Sequence, residues 1–168
     1  MREIVCPNCQ KKRRTKVGEY HYKECGLRDV RLGGVELFKC PCGEKFAIIP
    51  CVPELHGLLA QNLLRQKSQL SGREIRFLRK NMGLKSKDFA EYIGVNKVTV
   101  SRWERDEEHP TQPTDRLIRL FYAGWMGIKD IASELIKEMF REILPTQMEP
   151  TISFPIAKLK ELSSCNLP

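Results

Sequence analysis

The sequence contains no apolar run approaching about 18 residues, so nothing in it reads as a membrane span. Its opening stretch, MREIVCPNCQKKRRTK, is charged and lacks the apolar segment of a secretory leader, so the expected location is the cytoplasm. There are only three histidines, His21, His56 and His109. They are scattered, and each reads as a surface or packing residue. No Gly-rich phosphate loop, no Ser/His/Asp set and no converging carboxylate pair occurs, so the chain is not expected to be an enzyme. Internal repeats and low-complexity blocks are also missing.

What the chain does have is positive charge and cysteine. Across 168 residues, 29 Lys/Arg stand against 21 Asp/Glu, a net of +8. That length suits one ordinary domain or two small ones. The balance is +6 over residues 1–70, +5 over 71–102, −3 over 103–142 and neutral thereafter. The excess of cations therefore ends near Arg102. A basic balance suits a nucleic-acid partner, and it also suits a merely solvated surface.

Seven cysteines are many for a reducing compartment, where paired cysteines serve as metal ligands more often than as disulfides. Cys6-Pro-Asn-Cys9 has the spacing of a metal knuckle. Cys40-Pro-Cys42-Gly is one residue short of a second. Cys25 and Cys51 are rival ligands, and His21 is a distant one. The reading adopted is zinc held by Cys6, Cys9, Cys40 and Cys42. The role is structural, because four thiolates leave no open position for chemistry. A redox dithiol at Cys6 and Cys9 is the alternative, but no βαβ pattern surrounds it. Cys25, Cys51 and Cys165 otherwise read as buried residues or free thiols.

The first fifty residues look like a small β module. Fragments EYHYKE, DVRL, VELFK and KFAII read as strands, with Gly33-Gly34 as a hairpin turn. So little apolar material needs a staple. A linker helix follows from Pro53, with Leu55, Leu58, Leu59 and Leu63 on one face. Five helices come next. Ser71 and Glu74 form a capping box flanked by Leu70 and Ile75, and Gly83 ends that helix. Ser86 caps the second helix and Gly94 ends it. Asn96 caps the third, and Pro113 opens the fourth. The fifth covers residues 128–144 with an unusually wide apolar stripe. Pro145, Pro150, Pro155 and Pro168 mark a tail or extended arm.

Two short helices joined across Gly94 form a helix-turn-helix. Ala90 is small where they cross, and Val95, Val100 and Trp103 are apolar where the second must pack. Asn96, Lys97 and Arg102 then face outward, toward base edges in a major groove. The rival reading is an interaction protein whose helix-turn-helix no longer reads DNA, favoured by the acidic run ERDEEH after Trp103. That run either repels phosphate and sets a docking angle or is plain surface.

The stretch FLRKNMGLKSKDFAEYIGVNKVTVSRWERDEEHP resembles the Cro/repressor-like (XRE) helix-turn-helix family. The resemblance implies base contacts at Asn96, Lys97, Thr99 and Arg102. It implies phosphate contacts at Lys85, Ser86 and Lys87, and a structural role for Glu104. The order of modules, carried by CPNC, CGE, GREIRFLRK and VSRWE, resembles the MqsA-like antitoxins with a YgiT-type zinc finger. That resemblance implies a bacterial, cytoplasmic autorepressor that binds palindromic double-stranded operator DNA as a homodimer. It also implies a toxin protein bound by the N-terminal module. The wide apolar stripe places the homodimer contact on residues 113–144.

The fold class read from the sequence is α+β. A zinc-binding β module at 1–52 precedes a linker helix at 53–69. An all-α, five-helix DNA-binding and dimerisation domain spans 70–144, and a Pro-containing tail occupies 145–168.

Overall fold

A computed structural model of the chain describes residues 2–138 and 152–155. Among these residues the fold is α+β, with the strands of the N-terminal region followed by six α-helices. The described residues separate into two compact units, one holding 2–24, 29–55 and 152–155 and the other 25–28 and 56–138.

The first unit is built from hairpins. Strands β1 (Glu3–Val5) and β2 (Lys12–Arg14) form an antiparallel ribbon. Strands β3 (Lys16–His21), β4 (Val30–Lys39) and β5 (Lys45–Ile48) form an antiparallel sheet in that order. Along β4, Val30, Leu32, Val35 and Phe38 are fully buried. The spacing 30–32 then 35 breaks the strict alternation of a strand, and the ladder shows why. Gly18 pairs with Val35 and Tyr20 with Leu32, so β4 carries one residue more than β3 between these pairs. Gly33-Gly34 is therefore a β-bulge inside one long strand, with Gly34 at φ 78, and not the hairpin turn expected from the sequence. A glycine in the left-handed region lets the ladder absorb the extra residue without strain.

Thr15 ties the ribbon to the sheet. It is fully buried, exchanges backbone and side-chain hydrogen bonds with Arg2, and donates its hydroxyl to Glu36 Oε2 at 3.1 Å. Strand β6 (Ile152–Pro155) pairs in parallel with β4, with Val30 opposite Ile152. These four residues are the described part of the Pro-containing tail; the rest of that expectation lies outside the described residues.

Helix α1 (Val52–Arg65) leads into the second unit, where α2 (Gly72–Asn81), α3 (Ser86–Ile93), α4 (Lys97–Trp103), α5 (Gln112–Trp125) and α6 (Lys129–Glu138) pack together. Ser71 and Glu74 make the reciprocal capping box, and Leu70 and Ile75 beside it are buried. Gly94 ends α3 in the left-handed region at φ 75. Asn96 caps α4 by accepting from the Val98 amide at 2.9 Å. One cap differs from expectation. Lys85, not Ser86, is the extended N-cap residue of α3, and it makes no side-chain cap bond. The helix ladder already begins at the Lys85 carbonyl, which accepts from Phe89, so Ser86 sits inside the first turn. Residues 139–144 of the expected fifth helix lie outside the described residues.

Candidate metal centre and nucleic-acid interface

Both cysteine pairs sit on hairpin loops of the first unit. In the β1–β2 loop the Cys6 amide donates to the Lys11 carbonyl at 3.0 Å, and the Gln10 amide donates to the Cys6 carbonyl at 3.0 Å. In the β4–β5 loop the Cys40 amide donates to Glu44 at 2.8 Å, and the Gly43 amide returns to Cys40 at 3.0 Å. Each loop turns on a residue of positive φ, Gln10 at 59 and Gly43 at 97. The second turn is tighter, which is how Cys-Pro-Cys-Gly reaches a common centre despite its short spacing.

The four sulfurs of Cys6, Cys9, Cys40 and Cys42 all lie within 4.8 Å of one another. Cys6 Sγ is 3.6 Å from Cys42 Sγ, and Cys9 Sγ is 3.5 Å from Cys40 Sγ. Four thiolates about 2.3 Å from a tetrahedral zinc would stand about 3.8 Å apart, so the cluster has the dimensions and the donor chemistry of such a site. Beneath it the rings of Phe38 and Phe46 stack at 4.7 Å, and Ile4 completes a small apolar floor. The crowded thiols divide in their acidity. The Cys42 amide, with sulfur neighbours, draws the Cys40 thiol down to about 6. The Glu44 amide pulls on Cys42 in the same sense, but Cys40, desolvation and the other two sulfurs outweigh it and push Cys42 up to about 12. Four adjacent thiolates repel one another, and a dication at their centre is what would let all four ionise together. None of the three rival ligands, Cys25, Cys51 and the more distant His21, is part of this cluster. Cys51 is disulfide-bonded, which corrects its reading as a buried residue or free thiol. Cys165 lies outside the described residues.

In the second unit α3 packs on α4, with Ala90 buried and Gly94 turning the chain between them. Val100 and Trp103 point inward and are buried, while Asn96, Lys97 and Arg102 are exposed and Thr99 is half-buried. Lys85 and Lys87 are exposed at the start of α3, with Ser86 half-buried between them. Val98 is a position the sequence reading passed over. It is 55 % exposed in the first turn of α4, between Lys97 and Thr99. An apolar side chain left in water on this face suits contact with a thymine methyl. Its signal in the sequence was an apolar residue at a spacing that the inward pair, Val100 and Trp103, does not share.

The acidic run after Trp103 is neither plain surface nor unpaired negative charge. Glu104 is buried and accepts from Arg79 at 2.5 and 3.1 Å and from Arg76 at 3.2 Å. Asp106 Oδ1 accepts from the Gly72 amide at 2.6 Å. Glu107 takes Arg105 through both carboxylate oxygens, at 2.6 and 3.0 Å. Glu108 accepts from Arg102 at 2.8 Å. Every carboxylate of the run thus has a cation or an amide of its own unit. Gly72 is required at this junction, since a Cβ there would lie 2.1 Å from the Trp103 carbonyl oxygen. The closeness of α2 to the end of α4 fixes how α4 is carried.

A second buried network holds the beginning of the unit. Arg119, only 2 % exposed, pairs with Asp115 at 2.7 Å. It also donates to the carbonyls of Leu63, Leu64, Gln66 and Ser68 at 2.6 to 3.1 Å, closing the end of α1. Asp115 in turn accepts from the Leu70 amide at 2.7 Å. The sequence shows the Asp115/Arg119 spacing of one helical turn, but the carbonyl partners have no sequence signature.

Residues 75–114 match the family model described as Helix-turn-helix. This part of the chain is a helix-turn-helix domain of the XRE type, the coarser of the two resemblances seen in the sequence. No curated protein and no solved structure matches the chain. Among the described residues no helix is long and apolar enough to cross a membrane.

Proposed function

We propose that the protein is a sequence-specific transcriptional regulator that reads double-stranded DNA with α4. The observation that carries this is the helix-turn-helix match over 75–114, together with the outward face of Lys97, Val98 and Arg102 on α4. In this reading Lys97, Thr99 and Arg102 reach base edges. Asn96 contributes its amide NH2, since its Oδ1 already caps α4. Lys85, Ser86 and Lys87 meet phosphates at the start of α3, where free amides and a positive helix end favour anions. Pairing of each carboxylate within the acidic run removes the feature that favoured a helix-turn-helix blind to DNA. No reaction is assigned to the chain, because four sulfurs close the coordination of a zinc and leave it a structural role.

The regulator acts as a homodimer on a palindromic operator, with the contact on residues 113–144. Support comes from an apolar strip in the second unit. Leu117, Trp125 and Met126 on and after α5 are 42 to 44 % exposed, and the rings of Tyr92, Phe121 and Trp125 lie 5.3 to 5.6 Å apart. Self-repression, the antitoxin role and a toxin bound by the cysteine module are the finest parts of the proposal, and the order of modules supports them. The protein works in the bacterial cytoplasm in this reading.

Binding of the full zinc-loaded chain to DNA from upstream of its own gene, against a scrambled duplex of equal length, tests the proposal at two salt concentrations. Preference for the upstream duplex that survives the higher salt is the expected result. Equal and equally salt-sensitive binding to both would remove self-repression.

A further inference from the structure

Arg102 is held before any DNA arrives. Its Nη1 donates to Glu108 Oε1 at 2.8 Å, and both side chains are about half exposed, 49 % and 46 %. The loop that leads to Glu108 is itself fixed. The Glu107 amide donates to the Arg102 carbonyl at 3.0 Å, and the Asp106 amide donates to the Trp103 carbonyl at 2.9 Å. Asp106, at φ 59, is locked to the Gly72 amide. Glu107 takes Arg105 through both oxygens, and the Arg105 Nη1 donates to Ser101 Oγ at 2.7 Å. Of the two glutamates at the end of the loop, both feel the Arg102 charge, and Glu108 is the one hydrogen-bonded to it.

We infer that Glu108 is a positioning residue for base reading: clamped at Nη1 by Glu108, the Arg102 guanidinium presents its Nε and Nη2 edge to the O6 and N7 acceptors of a guanine. This rests on the DNA-reading role proposed above. The reason is geometric. A guanidinium offers its donors in a fixed fork, and two parallel N–H groups on one edge match the two guanine acceptors. An exposed, untethered arginine samples many rotamers and pairs readily with any phosphate. A carboxylate on the far side of the fork restricts those rotamers and leaves one edge free. It also offsets the charge of Arg102, so it weakens sequence-blind attraction of that guanidinium to phosphate.

Selection of binding sites from a random duplex library tests this, using the full zinc-loaded chain as wild type, Glu108→Ala and Glu108→Gln. Wild type is expected to select a motif with a guanine at one position of each half-site. Glu108→Ala should keep the rest of the motif but lose about two- to fivefold of the preference at that guanine, within the range open to an exposed ion pair. Its binding to unrelated duplex should rise. Glu108→Gln still offers an Oε1 acceptor and should restore most of the preference. Loss of the motif at all positions equally, unchanged preference in Glu108→Ala, or identical behaviour of the two variants would overturn the positioning role. A wild type that selects no motif would overturn base reading itself, and the positioning role with it. Matching thermal melts of the three proteins separate either result from misfolding.

Discussion

The two units of this chain are stabilised by opposite means. The first has one buried strand face, a two-strand ribbon and a floor of Ile4, Phe38 and Phe46 under four sulfurs. Its two cysteine loops meet where a metal would sit. Among the described residues the second unit holds no such cluster. Its short helices are joined by two buried charge networks, Arg79 with Glu104 and Arg119 with Asp115, and they also bury Leu63, Ile75, Leu78, Phe89 and Ile118. A module with a small core needs a staple, and metal coordination would supply one beside the Cys51 disulfide. A helical unit can rely on packing, provided that each buried charge is fully partnered.

Metal removal should break this comparison most strongly. Structural zinc sites of this kind carry roughly 10–16 kcal/mol of apparent binding energy at neutral pH. A strong chelator, or Cys6→Ser, should therefore unfold the first unit and leave the helical signal of the second. Since the ligands must be thiolates, acidification should act like the chelator. Strand and helix signals followed separately by hydrogen exchange would check this. Loss of both signals together would mean that the units are not independent.

Next in size is the network at the start of the second unit. Arg119→Ala strands the Asp115 carboxylate and leaves four carbonyls of the α1 end without their donor. The expected cost is about 3–5 kcal/mol in a urea titration of the zinc-loaded chain, read from helix content. The first unit should be indifferent to it. A smaller effect is expected from Gly72→Ala, which sets a methyl group against the Trp103 carbonyl. About 1–3 kcal/mol should be lost, with a change in tryptophan emission as the end of α4 shifts.

The parts of this architecture that were legible in the sequence are those with local causes. The cap at Ser71, the left-handed Gly94 and the inward pair Val100 and Trp103 are written in residues a few positions apart. The four sulfurs were legible too, because few arrangements accommodate two close cysteine pairs in a small β module. What escaped was set by distant partners. Gly33-Gly34 looked like a turn because its bulge is defined by Glu19 on the neighbouring strand. The acidic run looked like a repulsive surface because its partners, Gly72, Arg76 and Arg79, lie about thirty residues earlier. Arg119 gave no hint that it closes a helix more than fifty positions upstream.

An effect of comparable size bears most directly on function. Affinity of the full zinc-loaded chain should be compared on a selected duplex and on an unrelated one, over a range of salt, for wild type, Arg102→Ala and Lys87→Ala. Arg102→Ala should lose about 1–3 kcal/mol on the selected duplex and relax one base position. Lys87→Ala should weaken both duplexes alike and lower the salt slope by about 1. That contrast would place base reading on α4 and phosphate anchoring on α3. If Arg102→Ala left the ratio between the two duplexes unchanged, α4 would not be reading bases through Arg102, and the proposed mode of DNA recognition would be contradicted.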